Sequence, residues 1–174
     1  YYDNVKNFFN TGVNITESVA FSQQFNKTSV YVSGTRMDDG SKIPGADYNR
    51  TNLMSRVFTS FGKDDRWTLD SKIQYIRSYA KNRPISGANT NNYFYTMYTM
   101  PISLDITQFK NSVNPADGSM YWWEKGSGQN PYWAKDFNTN EDLRNRFLLN
   151  FSLKYQFTDW LSAEAKAGSD IYFT

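Results

Sequence analysis

The fold turns on the stretch "RFLLNFSLKYQFTDWLSAEAKAGSD", Arg146 to Asp170, which keeps setting Asn, Ser, Lys, Glu and Asp between apolar residues. Taken by parity, the odd positions from 143 to 157 are Leu143, Asn145, Phe147, Leu149, Phe151, Leu153, Tyr155 and Phe157. The even positions are Arg144, Arg146, Leu148, Asn150, Ser152, Lys154 and Gln156. A period of two means a strand with one apolar and one polar face. After Thr158-Asp159-Trp160 the alternation resumes, with Leu161, Ala163, Ala165, Ala167, Ile171 and Phe173 against Ser162, Glu164, Lys166, Gly168, Asp170 and Tyr172. Two long strands meeting at a short turn make a hairpin.

The unit recurs upstream. Leu53, Val57 and Phe61 alternate with Asn52, Arg56 and Ser60. Beyond Gly62-Lys63-Asp64-Asp65, the residues Trp67, Leu69, Ile73, Tyr75 and Tyr79 alternate with Arg66, Thr68, Asp70, Lys72, Gln74 and Ser78. A less regular hairpin runs from Val13, Ile15, Val19 and Phe21 to a turn at Phe25-Asn26-Lys27, then back through Val30 and Val32 toward Arg36, with Glu17 interrupting its apolar face. The spacing predicts hairpins over 13–37, 50–80 and 143–174. Short turns near 25–28, 62–65 and 158–160 alternate with long links at 38–49 and 81–141, the second far longer than an ordinary loop.

Composition narrows the function classes. Aromatic residues make up 18% of the 174-residue chain, yet mean hydropathy is −0.70, which suits rings placed at interfaces. The net charge of +2 and pI of 8.7 give no clustered basic surface for nucleic acid. Cysteine and histidine are both absent. That removes disulfides, thiolate chemistry and the commonest general base and metal ligand. The chain opens at Tyr1-Tyr2-Asp3 with no Met, leader or apolar signal segment and is expected to be a piece of something longer. No window is apolar enough for a membrane helix, but a membrane β-barrel hides from such averages because its strands alternate.

Strands of about 11 residues, at about 3.3 Å each and tilted near 45°, rise about 26 Å, close to the apolar band of an outer-membrane barrel. Phe61, Trp67, Phe157 and Trp160 gather at the short-turn end, with Tyr79, Tyr172 and Phe173 toward the other, as two lipid interfaces favour. Lipid would take the odd face and a watery lumen the even one. A soluble β-sandwich alternates in the same way, with one face on a core and one in solvent, although its strands are usually shorter.

The stretches "DNVKNFFNTG" (3–12), "GSKIPGADYNRTN" (40–52), "NRP" (82–84), "NPYW" (130–133) and "FTDWLSAEAKAGSD" (157–170) together resemble, in order and over nearly the whole chain, the β-barrel of SusC/RagA-type TonB-dependent transporters of the Bacteroidetes outer membrane. The resemblance implies an all-β, antiparallel up-and-down transmembrane barrel, of which this chain supplies about six of some 22 strands. It further implies a plug domain outside this chain, energy coupling by TonB through a missing N-terminal region, and a SusD-like surface lipoprotein that helps capture oligosaccharides or peptides. Short turns would then be periplasmic and the links at 38–49 and 81–141 extracellular.

The long link is ring-rich in "NNYFYTMYTMP" (91–101), "MYWWEKG" (120–126) and "NPYWAKDF" (130–137). Tyr121, Trp122, Trp123, Tyr132 and Trp133 are the candidates for contact with substrate or lid, against the alternative that the rings pack the loop on itself. "SLDITQFKNS" (103–112) offers a short helix capped by Ser103. The even-face charges Arg56, Arg66, Asp70, Lys72, Arg144, Arg146, Lys154, Glu164 and Lys166 would line the lumen, their mixed signs pointing to a salt-bridged, hydrated wall. Candidate interface aromatics are Phe61, Trp67, Tyr79, Phe157 and Trp160.

Three motifs are discounted. "SYAK" (78–81) spells Ser-x-x-Lys, but strand residues three apart face opposite sides. "DFNTNED" (136–142) starts like a calcium loop, yet Glu141 stands where Gly is required. Four glycosylation sequons, at Asn14, Asn26, Asn49 and Asn150, are matches by spelling only. No catalytic residue, cofactor or metal site is expected, and the chain is not expected to be an enzyme. Asp136, Glu141 and Asp142 are too close in sequence to nominate as a glycosidase pair. The alternative function is a secreted or surface β-sandwich that binds carbohydrate.

Overall fold

In a computed structural model, which describes residues 1–124 and 128–174, the chain is built on one six-stranded antiparallel sheet in simple sequence order. Its strands are β1 (Val13–Phe25), β2 (Thr28–Gly40), β3 (Asp47–Phe61), β4 (Trp67–Lys81), β5 (Glu141–Gln156) and β6 (Ser162–Phe173). The sheet is an up-and-down meander that is not closed, so β1 and β6 are its edges. All three expected hairpins form.

The parity reading fixes the register. Phe147 pairs with Ile171, Phe151 with Ala167 and Leu153 with Ala165, while Arg146 pairs with Tyr172, Ser152 with Lys166 and Lys154 with Glu164. Like faces therefore meet like faces, as a one-residue slip would not allow. The same holds across β3 and β4, where Arg56 grips Asp70 and Gln74 Nε2 donates to Asn52 Oδ1 at 2.8 Å. On β2 the apolar face carries even numbers. The Thr28 and Thr59 hydroxyls lie 2.6 Å apart, and a Cβ added at Gly34 would meet the Leu53 side chain at 3.3 Å.

Two expectations are corrected. Strands run 12 to 16 residues rather than about 11, so the first long link, expected at 38–49, shrinks to 41–46. Polar residues at a strand end still alternate and pair, and the hydropathy pattern alone drops them. The short helix expected in 103–112 is a 3-10 turn, Ile106–Phe109, and its cap is Asp105 rather than Ser103, accepting from the Thr107 amide at 3.0 Å.

The chain divides into two compact units. One comprises Ile15–Asp38, Asn49–Tyr79 and Leu143–Thr174, the main run of the strands; the other comprises Tyr1–Asn14, Asp39–Tyr48 and Ala80–Asp142. Among the described residues of the strand unit only Ile76 is buried, and it sits at an even position of β4. The apolar face stays exposed: Phe21 at 57%, Phe151 at 41% and Ile171 at 42%. Polar residues on that face, Glu17, Arg36, Arg77 and Asn145, bound an apolar band about nine residues long from the short-turn end. That is about 30 Å along the strands, or 21–25 Å at a tilt of 35–45°.

The second unit has the core. Phe8, Ile43, Ala46, Tyr93, Met97, Met100, Ile106, Phe109, Tyr132 and Ala134 form one buried cluster, gathered from helix α1 (Asn4–Phe8), the link at 41–46, helix α2 (Tyr93–Thr99), the 3-10 turn and helix α3 (Pro131–Phe137). These short helices start on side-chain caps at Asp3, Asn92 and Asn130, which satisfy amides that a helix start leaves open. In α2 the buried residues Tyr93, Thr96 and Met97, followed by Met100, fall at helical spacing.

Irregular backbone in a core must find hydrogen-bond partners, and three buried asparagines supply them. Asn4 Nδ2 donates to Leu104 O at 2.9 Å and its Oδ1 accepts from the Ile106 amide at 3.0 Å. Asn82 donates to Gly45 O and Lys135 O, at 2.9 and 3.1 Å, and accepts from the Asn140 amide at 3.1 Å. Its backbone is left-handed, at φ 49°, a conformation Asn tolerates better than most residues. Asn130, fully buried, donates to Phe109 O and Tyr121 O at 2.9 and 2.8 Å and accepts from the Tyr132 amide at 2.9 Å. Asn130→Ala strands two carbonyls and one amide. The expected loss is about 3 kcal/mol, roughly a hundredfold in amide-exchange protection across 131–137. Unchanged exchange there would show that the staple is dispensable.

Candidate functional site

Two places concentrate the candidate side chains, and each belongs to one unit. On the polar face of the sheet, strand alternation sets long side chains from β3 to β6 side by side. Arg56 binds Asp70 in a two-pronged pair at 2.9 and 2.6 Å, and Arg146 binds Asp170 in the same way at 2.8 and 2.6 Å. The Ser152 hydroxyl donates to Glu164 at 2.6 Å, and Lys166 reaches the same carboxylate at 3.1 Å. Arg144 lies 5.8 Å from the centre of the Tyr172 ring, a cation–π geometry.

Eight of the nine charges nominated for this face lie on it by alternation; Arg66 instead sits in the turn before β4, where its guanidinium donates to Phe157 O at 2.9 Å. Parity also names Asp170, Asn150 and Ser152, which the nomination omitted. The signal was present, because each stands at an even position of the same hairpin. What the sequence does not show is which charges pair: Arg146 engages Asp170 on the diagonal, although its direct cross-strand partner is Tyr172.

The nominated aromatics divide. Phe61 stacks on Trp67 at 6.3 Å, Trp67 meets Tyr155 at 4.5 Å, and Tyr155 meets Phe157 edge-on at 4.8 Å, so one continuous set of rings marks the short-turn end of the apolar face. Trp160 is 82% exposed and lies outside these ring contacts. Tyr79 is half-buried on β4. Tyr172, expected among the rings of the other end, is on the polar face under Arg144.

In the second unit, Tyr132 is a core residue, 8% exposed, because helix α3 turns it inward beside Phe8, at 5.3 Å. Trp122 packs edge-on against Phe109 at 4.9 Å. Trp133 stacks on Phe137 at 4.1 Å. That leaves Tyr121 and Trp123 as the nominated rings with the largest open faces. The last two residues of the "MYWWEKG" stretch, Lys125 and Gly126, lie outside the described residues. The structure adds Tyr95 and Tyr98, exposed on α2, which a helical reading of 93–100 would have brought out.

The carboxylates considered for catalysis each face a cation: Asp136 with Lys135, Glu141 with Lys81 at 3.8 Å, and Asp142 with Arg83 at 2.7 Å. Among the described residues no group of three or more His, Cys, Asp or Glu side chains is placed to hold a metal ion. Compared with protein-family models and with curated proteins, the chain matches none.

Burial pushes the Tyr93 phenol above its ordinary value, with the Asp136 charge adding to the effect, and burial followed by Asp105 does the same to Tyr132. A phenol held neutral by the fold binds its proton more tightly folded than unfolded. Its contribution is therefore full below about pH 10 and is lost as pH rises through the folded value. The stability of this unit should fall above about pH 10, and Tyr132→Phe should make that fall shallower in denaturant titrations. Equal slopes for the two proteins would remove Tyr132 from the account.

Proposed function

We propose that this chain is a segment of the β-barrel of an outer-membrane importer of the SusC/RagA, TonB-dependent kind, which takes up oligosaccharides or peptides with a SusD-like lipoprotein as its lid. The observation that carries the reading is the uncovered apolar face. A six-stranded sheet with an apolar band about 30 Å long presents on the order of 800 Å² of apolar surface, more than the largest patch of a typical soluble monomer. Opposite it lies a face of paired charges. A bilayer on one side and a hydrated lumen on the other meet both demands at once.

The open edges support the same reading. β1 and β6 each present a row of backbone groups without a neighbouring strand, which lipid does not tolerate, so further strands complete the barrel. The ends of the apolar band fit as well: Glu17, Arg36, Arg77 and Asn145 fall where a band about 25 Å tall would stop, and the strands continue beyond it. Under this reading no residue here does covalent chemistry. The polar face lines or abuts the transport path, and the ring-bearing second unit is the part that meets lid and cargo.

The test is the mobility of the native protein containing this chain, in an outer-membrane fraction run boiled and unboiled. Scaling 20.2 kDa from six strands to 22 gives a barrel of about 74 kDa before any plug. A boiled band at or above that mass, shifted when unboiled, is the expected result. A soluble species of about 20 kDa, indifferent to boiling, would sink the barrel and leave a carbohydrate-binding surface protein. Phe151→Arg and Ser152→Arg separate the two faces. The first should cost about 2–4 kcal/mol in membrane assembly and the second almost nothing.

A further inference from the structure

The charges of the polar face do not cancel. Arg56 is committed to Asp70, Arg146 to Asp170 and Lys166 to Glu164. What remains in the strand unit, on this face of β3 to β6, is cationic: Arg50, Lys72 and Arg144 have no ion pair among the described residues, and Lys154 acts on Glu164 only beyond ion-pair distance. In a chain whose overall charge is only +2, three uncommitted cations on one face of one sheet are a local excess.

One of the three sits in a shaped place. An open groove of about 400 Å³ is lined by Arg56, Asp70, Lys72, Asn150, Ser152, Lys166 and Gly168. Lys72 is half-buried there and has no carboxylate within ion-pair distance among the described residues, which leaves the place of its counter-ion to a bound anion. Among the described residues the Asn150 amide has no hydrogen-bond partner, which leaves its two N–H groups free. Gly168 pairs directly with Asn150 across β5 and β6, and a Cβ there would come within 3.3 Å of Asn150 Oδ1. Glycine keeps the groove open beside the free amide. The fixed pairs around it help: with Asp70 held by Arg56, and Glu164 by Ser152 and Lys166, neither carboxylate is free to fold over onto Lys72.

We infer that this groove binds an oxyanion of a small solute, a carboxylate or a sulfate or phosphate ester, with the Lys72 ammonium and the Asn150 amide as its principal donors and Lys166 at its margin. The arrangement offers charge-assisted hydrogen bonds from two adjacent strands around a gap. The inference rests on the polar face alone and holds whichever medium meets the apolar one, so it stands or falls separately from the membrane reading.

The test is calorimetric titration of the full-length protein carrying this chain, using three probes on one oligosaccharide backbone: neutral, bearing uronate carboxylates, and bearing sulfate esters. One or both anionic probes should bind at least about tenfold more tightly than the neutral one and weaken as salt rises, and the ratio between them identifies the oxyanion. Lys72→Gln should reduce that affinity about tenfold, the worth of one charge-assisted hydrogen bond. Gly168→Ala should weaken it with no change in charge. Lys154→Gln removes the same charge from the same face outside the groove and should leave affinity unchanged. Equal binding of all three probes, or no binding by any, overturns the site. So does an effect of Lys154→Gln as large as that of Lys72→Gln, because the attraction would then belong to the face as a whole.

Discussion

The apolar face of the sheet is the constraint on which the rest depends. Sheets normally become stable by setting one face against another layer, yet here the strands carry Phe21, Leu53, Ile73, Phe147, Phe151 and Ile171 exposed, with no second layer over them among the described residues. Ring contacts at the short-turn end and the hydrogen-bonded ladder hold the strands together laterally. Neither supplies the missing layer. The sheet is therefore specified by its sequence but leaves two needs unmet among the described residues: a cover for the apolar band and partners for the backbone groups of its open edges.

The second unit solves a different problem. Its chain comes from three separate stretches with little regular structure, and buried irregular backbone is costly unless each polar group is met. Asn4, Asn82 and Asn130 meet it, each with an amide that both donates and accepts, which neither an aspartate nor a serine can do in the same way. Around these staples the rings pack at edge-on angles, with Phe8 against Tyr132 and Phe109 against Trp122. Four of the five stretches singled out together in the sequence, 3–12, 40–52, 82–84 and 130–133, lie wholly or partly in this unit. They contribute Phe8, Ile43, Ala46, Asn82 and Tyr132, so their physical content is the core of this unit and its hydrogen bonds.

How much of this the sequence shows depends on the range of the interaction. Alternation is local, so the three hairpins, the two faces and the registered meeting of β5 with β6 are legible residue by residue. Strand ends are less so: Asp38, Asp39 and Asp47 look like loop residues until their backbone pairing is seen. The start of α3 was legible in principle, since Asn130 followed by Pro131 is a cap and a first-turn proline, but the rings around it drew the reading toward a loop. Tyr132 and Trp123 look alike as ring-bearing loop residues. Only the packing of segments 124 residues apart, Phe8 against Tyr132, sends one into the core and leaves the other exposed. The pairing of charges on the polar face is likewise a matter of rotamers and diagonals, which period two does not encode.

Period two also explains how one strand can serve two masters. Ser71, Lys72 and Ile73 are consecutive, yet the outer two face the apolar side and Lys72 the polar side. A change at Lys72 alters what the polar face attracts without touching the surface that fits the band, and a change at Ile73 does the reverse. Each hairpin thus carries two nearly independent chemical texts on a single backbone. The surplus of cations on one side, beside the apolar band on the other, is what such independence allows: the residues of either face can change while those of the other stay as they are.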